Sequence, residues 1–278
     1  MDWMTDTKIP VGKTISNGFD WLTDAFGPFF DFVDDVLSNG IDGFLWLLQY
    51  PPALLIVAML GALTYYIQRS WARVVVVVLC FLYVLNQGYW EETTESLTLI
   101  VFSVLFCMGV GVPIGIYAAH RPRFFQAILP VLDMMQTIPT FVYLIPMIVL
   151  FGIGMVPGLV ATFIFVIPAP IRLTQLGVSQ VPTALTEAGQ AFGATRMQTL
   201  WKIELPSAFP QIMTGLNQTI MLSLSMVVIA ALVGADGLGV PVVRALNTVN
   251  ASLGFESGLV IVAVAIALDR MLRVESKS

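Results

Sequence analysis

Uncharged apolar runs nearly long enough to cross a bilayer, such as ALLIVAMLGALTYYI over 53–67 and VVVVVLCFLYVL over 74–85, decide what this chain can become. A bilayer's hydrocarbon layer takes about 20 such residues as a helix. A helix also bonds its backbone amides within itself, which is required where no water is available. The charge supply agrees, because 11% of the residues are charged against 57% hydrophobic, whereas a soluble domain carries about 25% charged residues. The expected fold class is an all-α membrane protein. Cys80 and Cys107 fall inside apolar runs, where a thiol acts as a small hydrophobe, and they have no metal-ligand spacing. Neither a disulfide framework nor a metal site is expected. The N-terminal stretch lacks a basic start followed by an apolar run, so no cleavable signal peptide is expected.

About seven transmembrane helices are expected, over 44–67, 73–89, 96–119, 128–151, 155–176, 208–233 and 256–273. The basic residues orient them. With the N-terminus outside, Arg69, Arg73, Arg121, Arg123, Arg172, Arg196, Lys202, Arg270, Arg273 and Lys277 fall on the inner loops and ends, against Lys8, Lys13 and Arg244 outside. That excess predicts an external N-terminus and a cytoplasmic C-terminus. An outer loop, NQGYWEETTES over 86–96, is acidic and holds no Lys or Arg. The chain then divides into an external N-terminal segment, 1–43, and a transmembrane domain, 44–278, whose longest cytoplasmic loop spans about 177–207.

The N-terminal segment predicts an amphipathic helix over 16–38 lying on the outer surface. Phe19, Leu22, Phe26, Phe29, Val33 and Leu37 share one face, with Asp20, Asp24, Asp31 and Asp35 opposite. Pro28 after Gly27 predicts a break in it. Such a helix anchors the chain at the interface or docks an external partner. VGKT at 11–14 ends like a phosphate-binding loop, but the position that needs Gly is Thr7 and no apolar strand precedes it. Any ATP chemistry is therefore expected on another chain. His120 stands in a cytoplasmic turn away from any Cys or carboxylate cluster and is expected to be solvated. No catalytic constellation and no basic, aromatic-interleaved patch for nucleic acid is present.

The long cytoplasmic loop carries EAGQAFGATRMQTLWKIELP over 187–206. Pro182 suits a first helical turn, TALTEAGQAF continues the helix, and Gly193 suits a C-terminal cap with positive φ. Thr195 with Gln198 three residues on predicts a capping box opening a second helix, which Pro206 helps to end. Glu187 and Glu204 balance Arg196 and Lys202, so this helix-turn-helix has no net charge to offer DNA. A hairpin that merely joined two spans would not need Ala188, Gly189 and Gly193 beside the apolar Phe192, Met197, Leu200 and Trp201.

The stretch resembles the coupling motif of bacterial ABC-importer permeases: Glu-Ala-Ala, three residues, Gly, nine residues, Ile, one residue, Leu-Pro. Glu187, Ala188, Gly193, Ile203, Leu205 and Pro206 match at every spacing, and Gly189 replaces the third-position Ala. The resemblance covers most of 90–270. LDMMQTIPTFVYLIPMIVLFGIGMVPG, IRLTQLGVSQVP and LNQTIMLSLSMVVIAALVGADGLG are similar to the subfamily that moves glycine betaine, proline betaine, choline and related quaternary amines. It implies a binding-protein-dependent ABC importer permease fold in the bacterial cytoplasmic membrane. It also implies a second copy of the chain, two cytoplasmic ATPase subunits binding ATP and Mg, and an external substrate-binding protein. The permease itself would hold no cofactor and perform no catalysis. Glu187, Ala188, Gly189, Gly193, Ala194, Thr195, Ile203, Leu205 and Pro206 would make the ATPase contact.

Periodicity offers a translocation path. Asp133, Gln136, Thr140, Tyr143 and Met147 fall on one face of the fourth expected span, and Gln211, Thr214, Asn217, Gln218, Met221 and Ser225 on one face of the sixth. The same groups are equally suited to hydrogen-bonding neighbouring helices. Pro139, Pro146, Pro168 and Pro170 predict kinks there, and Gly111 with Gly115 predicts close helix packing. An isolated carboxylate inside a span is costly, so Asp133 is expected to pair with Arg172 at an inner gate. A methylated cation favours an aromatic cage, and none is legible, since Trp46, Trp71 and Trp90 fall near span ends, where tryptophan is an interface anchor. Two other functions are open to such a chain: a secondary transporter or channel using Asp133 as a charge site, and a non-transporting scaffold. Neither accounts for the hairpin.

Overall fold

The computed structural model describes residues 11–272. Lys8, Arg273 and Lys277, which enter the orientation count, lie outside the described residues. The described residues open with α1, Val11–Gln49, bent at Phe26 (φ −122°, ψ 15°) two residues before Pro28. The bend breaks the helical period, and the expected apolar face does not survive as one stripe. Val33, Leu37 and Ile41 pack inward and Phe30 meets the Phe151 ring edge-on at 5.5 Å, while Phe26 and Phe29 turn outward. Asp20, Asp24, Asp31 and Asp35 are exposed.

Helix α1 also runs further than the sequence reading allows, to Gln49. Pro51 and Pro52 then stop it, since neither can donate an amide to a helix, and α2, Ala53–Gln68, leaves at 98° to α1. The first expected span, 44–67, is therefore a bent pair. Helix α3, Trp71–Gln87, is apolar but short. Helix α4, Trp90–Ala119, is a 30-residue span with Pro113 inside it.

The fourth expected span, 128–151, is broken: α5, Pro122–Thr137, a 3₁₀ turn, Thr140–Tyr143, and α6, Leu144–Phe151, bend by 102°. Ile138 before Pro139 is extended (φ −64°, ψ 130°), as a residue preceding proline prefers. Pro139 has no N–H to give the carbonyl of Met135, and the Tyr143 hydroxyl donates to that oxygen instead at 2.7 Å. The break is stable because the orphaned acceptor is satisfied. One continuous face for Asp133, Gln136, Thr140, Tyr143 and Met147 is thereby ruled out.

Helices α7, Met155–Val166, and α8, Pro168–Ser179, join into one 25-residue span. Short helices α9, Thr183–Ala191, and α10, Arg196–Thr199, precede α11, Leu205–Ala230, and α12, Gly239–Asn247, leads to α13, Ala251–Leu272. Among the described residues, four helices are long and apolar enough to cross a membrane, two bent pairs qualify if each is one span, and α3 is a shorter seventh.

The bundle's centre is the contact between α4 and α8, with α11 laid against both. A side-chain carbon on Gly111 would sit 2.8 Å from Pro170 Cγ, and one on Gly115 would sit 2.6 Å from Thr174 Cβ and 2.7 Å from the Ile171 carbonyl oxygen. Only a bare backbone fits at Gly115, because the obstruction includes main chain. Gly115→Val is expected to force α4 and α8 apart at a cost of about 1–3 kcal/mol, the usual range for overpacking. Thermal unfolding in detergent checks this, with Gly109→Ala, where the added carbon meets nothing within 4 Å, keeping the wild-type midpoint.

Candidate functional site

The hairpin forms from its own local chemistry. Helix α9 begins after Pro182 and ends at Gly193, whose φ of +80° places it in the left-handed region where a Cβ is penalised. The Gly193 amide donates to the Gln190 carbonyl at 2.9 Å and the Ala194 amide to the Gly189 carbonyl at 3.0 Å, the paired bonds of a Schellman cap. Thr195 then opens α10 with the expected capping box: the Gln198 amide donates to Thr195 Oγ1 and the Thr195 amide to Gln198 Oε1. Across the turn, Ile203 lies so close over Gly189 that an added Cβ there would meet Ile203 Cδ1. The replacement of the motif's third small residue by Gly thus brings the two arms together.

Pro206 does not end the second arm, contrary to expectation. The chain widens into a π turn, Leu200–Glu204, in which the Leu205 amide reaches back to the Leu200 carbonyl, and it continues into α11 with Pro206 in the first turn. A wider turn carries the backbone past a residue that has no amide and whose ring would crowd the carbonyl four residues back. Arg196–Val233 is in consequence one 38-residue helical run. Outside the turn, Phe192 is 93% exposed, with Met197 and Trp201 also exposed. Glu187, Ala188 and Thr195 are exposed beside them, and Ala194 and Leu205 are half-buried.

Asp133 on α5 and Arg172 on α8 meet as expected, Arg172 Nη2 donating to Asp133 Oδ1 at 2.7 Å. The carboxylate is more than half exposed and Arg172 about one-third, so the pair contributes only about 0–1 kcal/mol to stability. Its importance is positional, as a strut between two helices.

The candidate path divides. Gln136, Thr140, Tyr143, Asn217 and Met221 are half-buried, and Thr214 and Ser225 are exposed. The Thr214 hydroxyl donates to Pro210 O and that of Ser225 to Met221 O, so these hydroxyls serve their own helix rather than neighbouring ones. Met147 departs from the expectation: it is buried with Leu144, Ala161 and Val233 in an apolar cluster and lines nothing open. The expected interface anchors find ring partners, Trp46 stacking on Tyr50 at 4.9 Å and Trp71 tilting on Tyr65 at 4.7 Å.

His120 is exposed as expected, with 48% of its side chain accessible, but it has close partners. Its Nε2 lies 2.9 Å from Glu204 Oε2, in the π turn, and its Nδ1 lies 2.8 Å from the Ile116 carbonyl oxygen. The carboxylate contact is an ion-pair approach, for Oε2 has no aligned hydrogen-bond donor and is shut off from solvent. No local signal announces a pair between residues so far apart in sequence.

Residues 111–273, which contain the hairpin and most of the bundle, match the family model described as binding-protein-dependent transport system inner membrane component. The chain is 43% identical over 274 residues to the glycine betaine transport system permease protein OpuAB of Bacillus subtilis (strain 168), covering 98% of this chain and 97% of the relative. It is 42% identical over 275 residues to the glycine betaine/proline betaine transport system permease protein ProW of Escherichia coli (strain K12), covering 98% of this chain and 76% of the relative. An inward-facing structure of the MetNI methionine ABC transporter superposes with a TM-score of 0.55 at 26% identity, over 63% of this chain and 89% of that one.

The caps predict a local stability. Thr195→Ala removes the acceptor for the Gln198 amide and is expected to cost about 1 kcal/mol. Amide exchange across Arg196–Thr199 should then accelerate roughly fivefold, while exchange in α13 stays unchanged; mass-spectrometric exchange in detergent resolves the two.

Proposed function

The chain belongs to the family of binding-protein-dependent transport system inner membrane components and is a permease subunit of an ABC importer; on that premise we propose that its cargo is a quaternary amine such as glycine betaine or choline. The names of its relatives support this cargo, two of them being designated for glycine betaine or proline betaine. The working assembly is two copies of this chain, two cytoplasmic ATPase subunits that bind ATP with Mg, and an external binding protein. It sits in the bacterial cytoplasmic membrane with the N-terminus outside and the C-terminus in the cytoplasm.

One observation carries the mechanism: the hairpin's second arm runs into α11 without a joint. The first arm, α9, with its capped turn and the projecting Phe192, seats in a groove on the ATPase. Closure of the ATPase pair around nucleotide pushes on the hairpin, and the continuous helix carries the push into the span that lines the path. Caps at Gly193 and Thr195 keep the short arms helical under that load. Asp133 is held by Arg172, which favours a gate strut over the free charge site that a secondary transporter would use. No aromatic cage is legible in the sequence, so the cage for the methylated cation is assigned to the binding protein, and this chain is a weakly selective conduit.

Radiolabelled glycine betaine uptake into vesicles is expected only with internal ATP, the ATPase and the binding protein all present; uptake driven by an ion gradient alone would refute the importer assignment for this cargo. Gly193→Val places a β-branched residue at φ +80°, and co-purification of the ATPase should fall by about tenfold or more while the variant still inserts in the membrane. For the gate, Asp133→Asn and Arg172→Gln are each expected to slow uptake several-fold, and the double variant no more than either alone. A double-mutant cycle with strictly additive losses would separate the two residues.

A further inference from the structure

We propose that His120 is a positioning residue for the transport stroke: it ties the hairpin's π turn to the end of α4, so that movement of the hairpin reaches α4 as well as α11. The proposal rests on the hairpin being the ATPase seat and adds a second route by which that seat drives the bundle.

The chemistry of the contact makes it a tie. A backbone carbonyl only accepts hydrogen bonds, and so does an ionised carboxylate. His120 presents Nδ1 to the Ile116 carbonyl oxygen at 2.8 Å and Nε2 to Glu204 Oε2 at 2.9 Å. The ring therefore bridges the last turn of α4 and the π turn, at the C-terminal end of α4, where the helix dipole favours a basic group. On the other side, the Glu204 side chain is 13% exposed with its Oε2 closed to water, and His120 is the basic side chain at ion-pair distance among the described residues. Arg121, the next residue, is turned onto the Tyr117 ring at 5.1 Å.

The placement gives the tie its consequence. Glu204 is the last residue of the π turn, where the hairpin arm becomes α11. His120 immediately follows α4, which is locked on α8 through Gly111 and Gly115. A displacement entering at the hairpin therefore pulls on α4 and α8 through His120 while it pushes α11 directly. Without the tie, α11 would move against a stationary pair, and hydrolysis would be poorly converted into opening.

The test uses the complete transporter in vesicles and measures three quantities: ATPase retained on the permease, ATP hydrolysed, and glycine betaine delivered per ATP. His120→Ala is expected to keep the ATPase bound and hydrolysing while delivery per ATP falls roughly tenfold, within the range of coupling between sites. His120→Lys, which supplies a cation, should recover most of that loss, and Glu204→Gln should reproduce it. The double variant His120→Ala/Glu204→Gln should be no worse than either alone. Wild-type delivery per ATP in His120→Ala overturns the proposal, and so does a Lys variant as poor as the Ala variant. Should His120→Ala fail to reach the membrane, Glu204→Gln decides, with unchanged delivery per ATP overturning the tie. Release of the ATPase from His120→Ala assigns the residue to docking and likewise overturns it. Failure of the hairpin reading is a separate outcome, an ATPase that stays bound to Gly193→Val.

Discussion

A bare stretch of one helix pressed against its neighbour holds the rest of this molecule in place. At Gly111 and Gly115 the α4 helix has no side chain, and α8 approaches until the Ile171 carbonyl and the Pro170 and Thr174 side chains fill the space. Apolar side chains gain little by leaving lipid for other apolar side chains, so close fit rather than hydrophobic burial has to hold such helices together. The same contact aligns the working parts. Helix α8 carries Arg172 and leads to the hairpin, and α4 ends beside His120. With these two helices fixed to each other, the Asp133–Arg172 pair and the His120–Glu204 contact are both attached to a single body.

Backbone satisfaction governs the irregular places. A span interrupted by proline leaves a carbonyl without a donor, and in hydrocarbon that is expensive unless something nearby replaces it. At Pro139 the replacement is the Tyr143 hydroxyl on the Met135 oxygen, which allows a bend of 102° rather than a mild kink. At Pro206 the remedy is a change of helical pitch. Five residues of π turn absorb the missing amide, and the helix goes on. Similar residues thus give opposite outcomes, a corner in one case and an uninterrupted rod in the other, according to what is available to bond.

The sequence made the hairpin legible nearly to the atom, because each of its signals is local: a Gly requiring positive φ, and a Thr and Gln three apart. The Asp133–Arg172 pair is legible for a different reason, since a carboxylate within a span demands a counter-charge and Arg172 stands at the end of the next expected span on the same side. The fold class follows from apolar length alone, whereas the first and fourth expected spans prove to be bent pairs that length does not announce. What could not be read was tertiary. Periodicity assumes an unbroken helix, so the stripe from Asp133 to Met147 dissolved at Pro139, and Met147 went to the core. The face from Phe19 to Leu37 failed likewise at Phe26. The contact of His120 with Glu204 has no signal in the sequence, because the two lie on distant stretches that only folding brings near.

Phe192 stands 93% exposed at the tip of a turn that two caps hold rigid. A flexible loop would tuck such a ring away, but this one has no freedom to do so. With Met197 and Trp201 nearby it forms an exposed apolar knob, and patches of that kind invite aggregation and recognition by chaperones and proteases. On the proposed assembly, in which an ATPase subunit covers the knob, a copy of this chain left alone is marked for disposal, and the output of the two subunits has to be matched.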